Sequence, residues 1–125
     1  MNLLLDSHAL LWALAGDERI PAAARDAITD SANPVMVSAA SVWELSIKQA
    51  LGRIDIPDDL TDAIQASHFA PLAITLEHAV VAGRLPPLHG DPFDRMLVAQ
   101  ATVERLTVVT VDDRIGQYDV PVLWA

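Results

Sequence analysis

The sequence predicts an α/β fold: a three-layer α/β/α sandwich with a five-stranded parallel sheet, in a single domain that spans residues 1–125. Short aliphatic runs alternate with longer segments that carry apolar residues at helical spacing, which is typical of this class. Strands joined through helices run parallel, because the helix returns the chain to the same end of the sheet. Hydrophobic residues make up 52% of the 125 residues, enough for the core of one domain.

The first half of the chain contains two predicted strands and four predicted helices. In order, they are strand 3–5, helix 7–16, helix 21–31, strand 35–37, helix 39–52 and helix 58–67. Gly16 and Gly52 end two of the helices, because glycine readily adopts the left-handed backbone of a helix C-cap. Pro21 suits the first turn of a helix, where its fixed φ angle is favourable and no amide proton is needed.

The second half continues the same alternation. In order, its predicted elements are strand 71–74, helix 76–85, helix 92–106, strand 107–111, a short helical turn at 114–117 and strand 121–124. Pro86 and Pro87 stop the helix before them, and Pro92 begins the next one. Five strands with helices between them complete the predicted sandwich.

Four acidic residues are predicted to lie at one edge of this sheet. Asp6 and Asp112 directly follow the first and fourth strands, and Glu44 and Asp94 lie in the opening turns of two helices. Ligands of open α/β sheets bind outside the carboxyl ends of the strands, so these side chains are expected to converge. At about 5 Å, each carboxylate pair would cost roughly 3 kcal/mol at an effective dielectric constant near 20. The cluster therefore predicts a bound cation, and oxygen ligands favour Mg²⁺, with Mn²⁺ as a substitute.

Each acid also has a purely structural explanation. Asp6 and Asp112 could cap the helices that follow them, and Ser41 with Glu44 matches the spacing of a capping box. Asp91 is a suitable cap for the helix at Pro92, and the helix dipole favours Asp94 in its first turn. Capping and metal binding are compatible at helix N-termini, so both interpretations stand. Two further acids stay open as metal ligands. Asp91 is close to Asp94, and Asp113 is adjacent to Asp112 and could serve in its place or together with it.

The four histidines do not follow a zinc-binding pattern such as H-E-x-x-H. His8 and His89 lie two residues from Asp6 and Asp91, and both are interpreted as rim or packing residues rather than ligands. His68 and His78 are interpreted as helix-surface positions. The tryptophans at 12, 43 and 124 occupy apolar positions and are expected in the core or at an interface.

Three basic residues lie near the acids in sequence. Lys48 follows Glu44 by four residues, which predicts a salt bridge along one helix. Arg95 and Arg114 are adjacent to the third and fourth acids and could either clamp a phosphate or tie down the loops.

Composition and missing motifs exclude several classes of protein. The formal charge of −9 argues against a generic nucleic-acid coat, and the absence of cysteine excludes zinc–thiolate sites. The sequence contains no P-loop, no G-x-G-x-x-G and no G-x-S-x-G, and Asp6-Ser7-His8 lacks the second aspartate of haloacid-dehalogenase-type phosphatases. The N-terminal segment matches neither a signal peptide nor a membrane span, which suits a cytoplasmic protein.

Four segments together resemble the PIN-domain ribonucleases, and more narrowly the VapC-type toxins of bacterial toxin–antitoxin pairs. They are LLLDSHALLW, SVWELSIKQALGR, DPFDRMLVAQA and TVVTVDDRIGQYDVPVLW, in that order along the chain. The resemblance implies that Asp6, Glu44, Asp94 and Asp112 are the catalytic metal ligands. By the same resemblance, the hydroxyls of Ser7 and Thr110 orient these carboxylates.

The same resemblance implies an endoribonuclease that hydrolyses RNA phosphodiester bonds with a metal-activated water, leaving a 5′-phosphate and a 3′-hydroxyl. It also implies a homodimer and a cognate antitoxin whose C-terminal segment lies across the active-site groove.

Rival hypotheses are a metal-dependent phosphatase or a DNA nuclease on the same fold, a non-catalytic RNA-binding module and a receiver-like signalling module. The receiver hypothesis is weakened because no lysine follows the last strand.

Overall fold

Five short parallel strands form one sheet in the order β3-β2-β1-β4-β5, in a computed structural model that describes residues 1–125. The strands are β1 (Leu3–Leu5), β2 (Val35–Ser38), β3 (Ala70–Leu72), β4 (Thr107–Thr110) and β5 (Val122–Trp124). The strand order extends in one direction from β1 to β3 and then resumes on the other side of β1 with β4. The carboxyl ends of β1 and β4 therefore flank the topological switch point, where such sheets form a crevice.

Six helices and one short 3₁₀ turn connect the strands. They are α1 (Ser7–Ala15), α2 (Ala22–Thr29), α3 (Ala39–Ala50), α4 (Leu60–Ala66), α5 (Leu76–Arg84), α6 (Pro92–Glu104) and the 3₁₀ turn Ile115–Gln117. The predicted fold class is confirmed, and every predicted element is present within a few residues of its expected bounds. None of the helices has the length and apolar character that crossing a bilayer would require.

Two hydrophobic clusters cover the two faces of the sheet. Leu3 and Leu5 point to one cluster and Leu4 to the other, because successive side chains of a strand alternate between faces. The first cluster includes residues from α1 to α4, and the second includes residues from α6. All three leucines of β1 are fully buried, so this strand is the centre of the three-layer sandwich.

The predicted capping box at Ser41 and Glu44 is wrong. Helix α3 begins at Ala39, and its cap is Ser38, whose Oγ accepts a hydrogen bond from the Ala40 amide at 3.0 Å. Glu44 therefore lies beyond the first turn, and its side chain is free of any capping role at this helix start. The helix begins earlier than the capping box requires because Ser38 ends β2 and caps α3 at once.

The surface position predicted for His78 is also wrong, because its side chain is fully buried. Its Nδ1 accepts a hydrogen bond from the Thr75 amide at 3.1 Å, and Thr75 Oγ1 accepts one from the His78 amide at 3.1 Å. On the other side of the ring, Nε2 lies 2.9 Å from Oε1 of Glu104 in α6. His78 therefore caps α5 and connects it to α6.

Two of the tryptophans are not in the core. Trp43 and Trp124 are 61% and 49% exposed, whereas Trp12 is half-buried. Trp43 packs edge-on against Phe93, with ring centroids 5.2 Å apart.

Arg95 ties the loop between α5 and α6 to the helices on both sides. Its guanidinium donates hydrogen bonds of 2.9–3.5 Å to the phenol oxygen of Tyr118 and to four backbone carbonyls. These carbonyls belong to Ala82, Leu85, Pro86 and His89. Of the two roles considered for Arg95, the structure supports the structural one, because these contacts engage both terminal nitrogens of the guanidinium.

We expect Arg95→Met to lower the free energy of unfolding by about 2–4 kcal/mol, because several carbonyls would lose a charged donor. Urea denaturation of the metal-free protein would measure this. Arg84→Met is the matched control, since Arg84 is exposed and donates no side-chain hydrogen bond, and it should change stability by about 0.5 kcal/mol or less. Equal effects of the two substitutions would contradict the assignment.

Candidate metal centre

Asp6 follows β1 directly, and both of its carboxylate oxygens are held in place. Oδ1 accepts a hydrogen bond from the Ala9 amide at 2.8 Å, which caps α1, and Oδ2 accepts one from the Thr110 hydroxyl at 2.6 Å. Burial raises the pKa of Asp6, and these two hydrogen bonds oppose that rise. The predicted cap is therefore present, and it fixes the carboxylate at the end of the central strand.

Glu44 is buried on α3 and faces the same space as Asp6. Its Oε2 lies 2.9 Å from Nζ of Lys48, so the predicted salt bridge along the helix is confirmed. After burial, repulsion from the charge of Glu44 is among the causes that raise the pKa values of Asp6 and Asp94. The three acids are thus close enough to repel one another.

Asp94 lies in the first turn of α6 and has the most perturbed carboxyl group of the cluster. Burial and the neighbouring charge of Asp91 raise its pKa to about 7. Glu44 and Asp6 raise the pKa further, whereas His89 lowers it. The metal-free protein therefore leaves this carboxyl without sufficient positive charge nearby.

Asp112 lies in the loop after β4 and has the opposite electrostatics. Burial acts to raise its pKa, but hydrogen bonds from the Arg114 amide and from His89 outweigh it, so that the pKa is lowered. The Arg114 amide donates to Oδ1 at 2.8 Å, and the Arg114 Nε lies 3.7 Å from the same oxygen. The side chain of Arg114 is 62% exposed, which leaves its guanidinium accessible at the mouth of the cluster.

Thr110 connects the two strand-end acids. Its hydroxyl donates to Oδ2 of Asp6 and accepts a hydrogen bond from the Asp112 amide at 3.0 Å. Thr110 is fully buried, so its rotamer is fixed by both contacts. Ser7 is also buried beside Asp6, but the structure gives it no hydrogen bond to these acids.

His89 lies inside the cluster, although the sequence indicated a rim or packing position. Its Nε2 is 2.9 Å from Oδ2 of Asp94 and 3.0 Å from Oδ2 of Asp112. One ligand atom from each of these three residues lies within 4.8 Å of the others. The sequence offered one weak indication of this position, because His89 lies two residues before Asp91, the cap of α6. By contrast, His8 is exposed and contacts only the edge of Trp12, as expected of a rim residue.

The two additional acids differ in their positions. Asp91 caps α6 through Oδ1, which accepts hydrogen bonds from the Phe93 and Asp94 amides at 2.8 and 3.1 Å. Its charge still reaches Asp94, so it lies at the edge of the cluster. Asp113 is exposed and makes no hydrogen bond to the other acids.

The donor set fits a divalent cation. Asp94 and Asp112 lie together with His89, and the charges of Asp6 and Glu44 are near enough to raise the pKa of Asp94, although these two acids are outside that close group. Lys48 pairs only with Glu44. A hard cation such as Mg²⁺ or Mn²⁺ prefers such oxygen ligands and would relieve the repulsion that raises the pKa of Asp94. The observation that supports the fit is this uncompensated charge.

An apolar groove of about 590 Å³ lies next to helix α3, and none of the four predicted acids lines it. Helices α3 and α4 and the edge strand β3 line it, and Trp43 belongs to its lining. Through the contact of Trp43 with Phe93, the groove adjoins the helix turn that carries Asp94. A second cavity, of about 740 Å³, is lined by residues such as Trp12, Arg25 and Phe69 and includes none of the four predicted acids.

The chain is similar to known proteins over nearly its whole length. The family model described as PIN domain matches residues 3–121. Ribonuclease VapC22 of Mycobacterium tuberculosis (strain ATCC 25618 / H37Rv) is 34% identical over 123 residues, covering 96% of this chain and 94% of the relative.

Solved structures share the fold at low sequence identity. The crystal structure of VapBC2 from Rickettsia felis bound to a promoter DNA fragment matches with a TM-score of 0.72 and 12% identity, covering 100% of this chain and 99% of that one. DNA-bound VapBC from Salmonella typhimurium matches with a TM-score of 0.69 and 14% identity, covering 99% and 98%.

We expect Asp94→Asn to stabilise the metal-free protein by about 1–2 kcal/mol at pH 8, since the carboxyl is partly solvated. A folded-state pKa of about 7, above the ordinary 3.8, means that Asp94 favours folding at low pH. This contribution is lost as the pH rises through 7. The gain from Asn should therefore grow as the pH rises from 3.8 to about 7, reach its full size above pH 7 and be smaller at pH 5.

Urea denaturation in EDTA at pH 5 and pH 8 would measure the difference. Asp113→Asn is the matched control, because Asp113 is exposed and lies outside the cluster, and its effect should be near zero at both pH values. A pH-independent effect of Asp94→Asn would show that burial and repulsion do not act on this carboxyl.

Proposed function

Because this chain belongs to the PIN-domain family, among its VapC-type toxins, we propose that it is a Mg²⁺-dependent endoribonuclease acting as the toxin of a toxin–antitoxin pair. The observation that supports the proposal is the close grouping of Asp94 and Asp112 with His89 at the switch point of the sheet, where the charges of Asp6 and Glu44 also act on Asp94. The ribonuclease name of the 34% identical relative supports RNA as the substrate.

The four acids divide into two groups. Asp6, Glu44 and Asp94 would hold the main cation, and Asp112 would complete this site or contribute to a second one. When bound there, Mg²⁺ or Mn²⁺ would supply a water of lowered pKa and positive charge for the scissile phosphate. The protein holds the acids in place through the Thr110 hydroxyl and the helix caps, so that little rearrangement is needed when substrate binds.

The net charge of −9 makes the acidic edge unfavourable for RNA without a cation. Arg114 is the basic side chain beside Asp112 with an accessible guanidinium, and it provides a phosphate contact at the entrance. Arg95 does not contribute to this contact, because the loop carbonyls already engage both terminal nitrogens of its guanidinium. Binding of the RNA phosphates therefore depends on the cation together with a small number of basic side chains such as Arg114.

The groove next to α3 supports an antitoxin partner. The solved structures that share the fold include VapBC complexes, and we extend that assembly to this chain. An apolar groove of about 590 Å³, with Trp43 in its lining, suits a peptide segment with apolar anchors. Such a segment would cover the entrance for RNA.

A homodimer is supported by exposed apolar side chains around the start of α5. Leu76 is 88% exposed, and Val80 follows it one turn later at 50%. Ile74, just before the helix, is 40% exposed. A cluster of exposed apolar side chains of this kind is typical of a subunit contact.

Purified protein should cleave a mixed, structured RNA pool into discrete products with Mg²⁺ or Mn²⁺ and not with EDTA. We expect Asp6→Asn to lower the rate by at least about 100-fold, because a neutral amide binds the cation poorly. Gel analysis of the products and of their ends would measure both effects.

Asp113→Asn is the matched control and should cleave within about threefold of wild type, because it lies outside the cluster. Single-stranded DNA and a phosphomonoester, tested in parallel, separate the rival nuclease and phosphatase activities. Full activity of a folded Asp6→Asn protein would contradict the proposal.

Light scattering should give twice the 13.5 kDa chain mass for wild type and one chain mass for Leu76→Asp. A buried charge would cost more than a small subunit contact supplies. Leu51→Asp is the control, because Leu51 is a similarly exposed leucine at the end of α3 and should leave the dimer intact. A monomeric wild type at micromolar concentration would rule out this dimer.

A further inference from the structure

His89 connects two parts of the acidic cluster that belong to different elements. Asp94 is in the first turn of α6, and Asp112 is in the loop after β4. The Nε2 atom of His89 lies within 3.0 Å of one oxygen from each carboxylate. No other side chain of the structure contacts both acids.

The hydrogen bond at the other ring nitrogen determines where the ring proton lies. The Asp91 amide, which can only donate, points to Nδ1 of His89 at 3.3 Å. Nδ1 is therefore an acceptor, and the ring proton is on Nε2. A single N–H group is shared between Asp94 and Asp112.

Hydrogen bonds also hold the backbone of His89 in place. Its amide donates to Tyr118 Oη at 3.0 Å, and its carbonyl accepts a hydrogen bond from Arg95 at 3.5 Å. The Tyr118 hydroxyl in turn donates to the Pro86 carbonyl at 2.8 Å. His89 is 5% exposed, so these contacts hold an imidazole that is almost fully buried.

A hydrogen-bonded chain connects three of the four acids, all except Glu44. Asp94 and Asp112 share the His89 proton, the Asp112 amide donates to the Thr110 hydroxyl, and that hydroxyl donates to Asp6. The two strand-end acids and the helix acid are thus positioned relative to one another by neutral donors, before any cation is present.

We propose that His89 is a positioning residue that holds Asp94 and Asp112 within reach of a cation by donating its Nε2 proton to both, and is not itself a ligand. The inference rests on the proposed function, since it assigns a role at the same metal site. As a ligand, Nε2 would have to lose its proton and Nδ1 would have to gain one. The Nδ1 proton would then point at the Asp91 amide proton, and the hydrogen bond between these two nitrogens at the start of α6 would be lost.

The two roles predict different metal selectivity. An imidazole ligand favours Mn²⁺ over Mg²⁺, so its loss would weaken Mn²⁺ binding more. A positioning donor acts on the carboxylates alone, and its loss would weaken binding of both ions by the same factor.

Isothermal titration of Mg²⁺ and of Mn²⁺ into wild type, His89→Ala and His89→Gln separates these roles without measuring activity. We expect His89→Ala to weaken binding of both ions by about tenfold, as is typical when a group that orients metal ligands is lost. The Gln amide can place an N–H donor near the position of Nε2, so His89→Gln should stay within about threefold of wild type.

Three outcomes would contradict the inference. Unchanged affinities in folded His89→Ala would overturn the positioning role alone, and so would a loss at least tenfold larger for Mn²⁺ than for Mg²⁺ without rescue by Gln. A wild type that binds neither ion would overturn the proposed function and this inference together.

Nitrogen-15 spectra of the His89 ring in wild type provide a test that needs no variant to fold. The expected spectrum shows the proton on Nε2 both without and with saturating Mg²⁺. Loss of that proton on addition of Mg²⁺ would show that Nε2 is a ligand and would overturn the inference.

Discussion

Repulsion among the carboxylates at the carboxyl edge of the sheet is the constraint on which the site depends. The fold answers it with different donors at three of the acids. The Ala9 amide and the Thr110 hydroxyl donate to Asp6, Lys48 pairs with Glu44, and the Arg114 amide and His89 donate to Asp112. Asp94 receives less compensation, and its pKa of about 7 records the difference. A cation bound near Asp94 would relieve the repulsion that the protein donors leave uncompensated there.

The same contacts also make the fold. The Asp6 carboxylate caps α1, and the Asp91 carboxylate caps α6 while it raises the pKa of Asp94. A cap contributes about 1 kcal/mol to stability. The capping acids therefore stabilise the fold as well as adding repulsion to the site. Because the caps also fix side-chain rotamers, the acids are preorganised for a ligand at little additional loss of entropy.

The sequence predicted those features that depend on local pattern. The strands followed from short aliphatic runs, and Asp6 and Asp112 followed from their places at strand ends. The missed features depend on tertiary contacts. His89 reaches the cluster because Arg95 and Tyr118 hold its loop, and these contacts leave no periodic signal. His78 is buried because α5 packs on α6, which apolar spacing within α5 alone does not show.

The hydrogen-bond chain from Asp94 to Asp6 also limits how the site can adapt to a cation. Asp6 has both oxygens engaged by fixed, buried donors, so it can offer only its remaining lone pairs without breaking the α1 cap or the Thr110 bond. Asp94 is held on one oxygen by His89 alone, and its helix position is set by the Asp91 cap. Asp94 therefore keeps one carboxylate oxygen free of hydrogen bonds while the other is fixed by His89. The acid with the largest electrostatic cost would thus offer a cation an oxygen that no protein donor occupies. Because His89 shares one N–H group between Asp94 and Asp112, any shift of Asp94 on binding would also change the bond to Asp112.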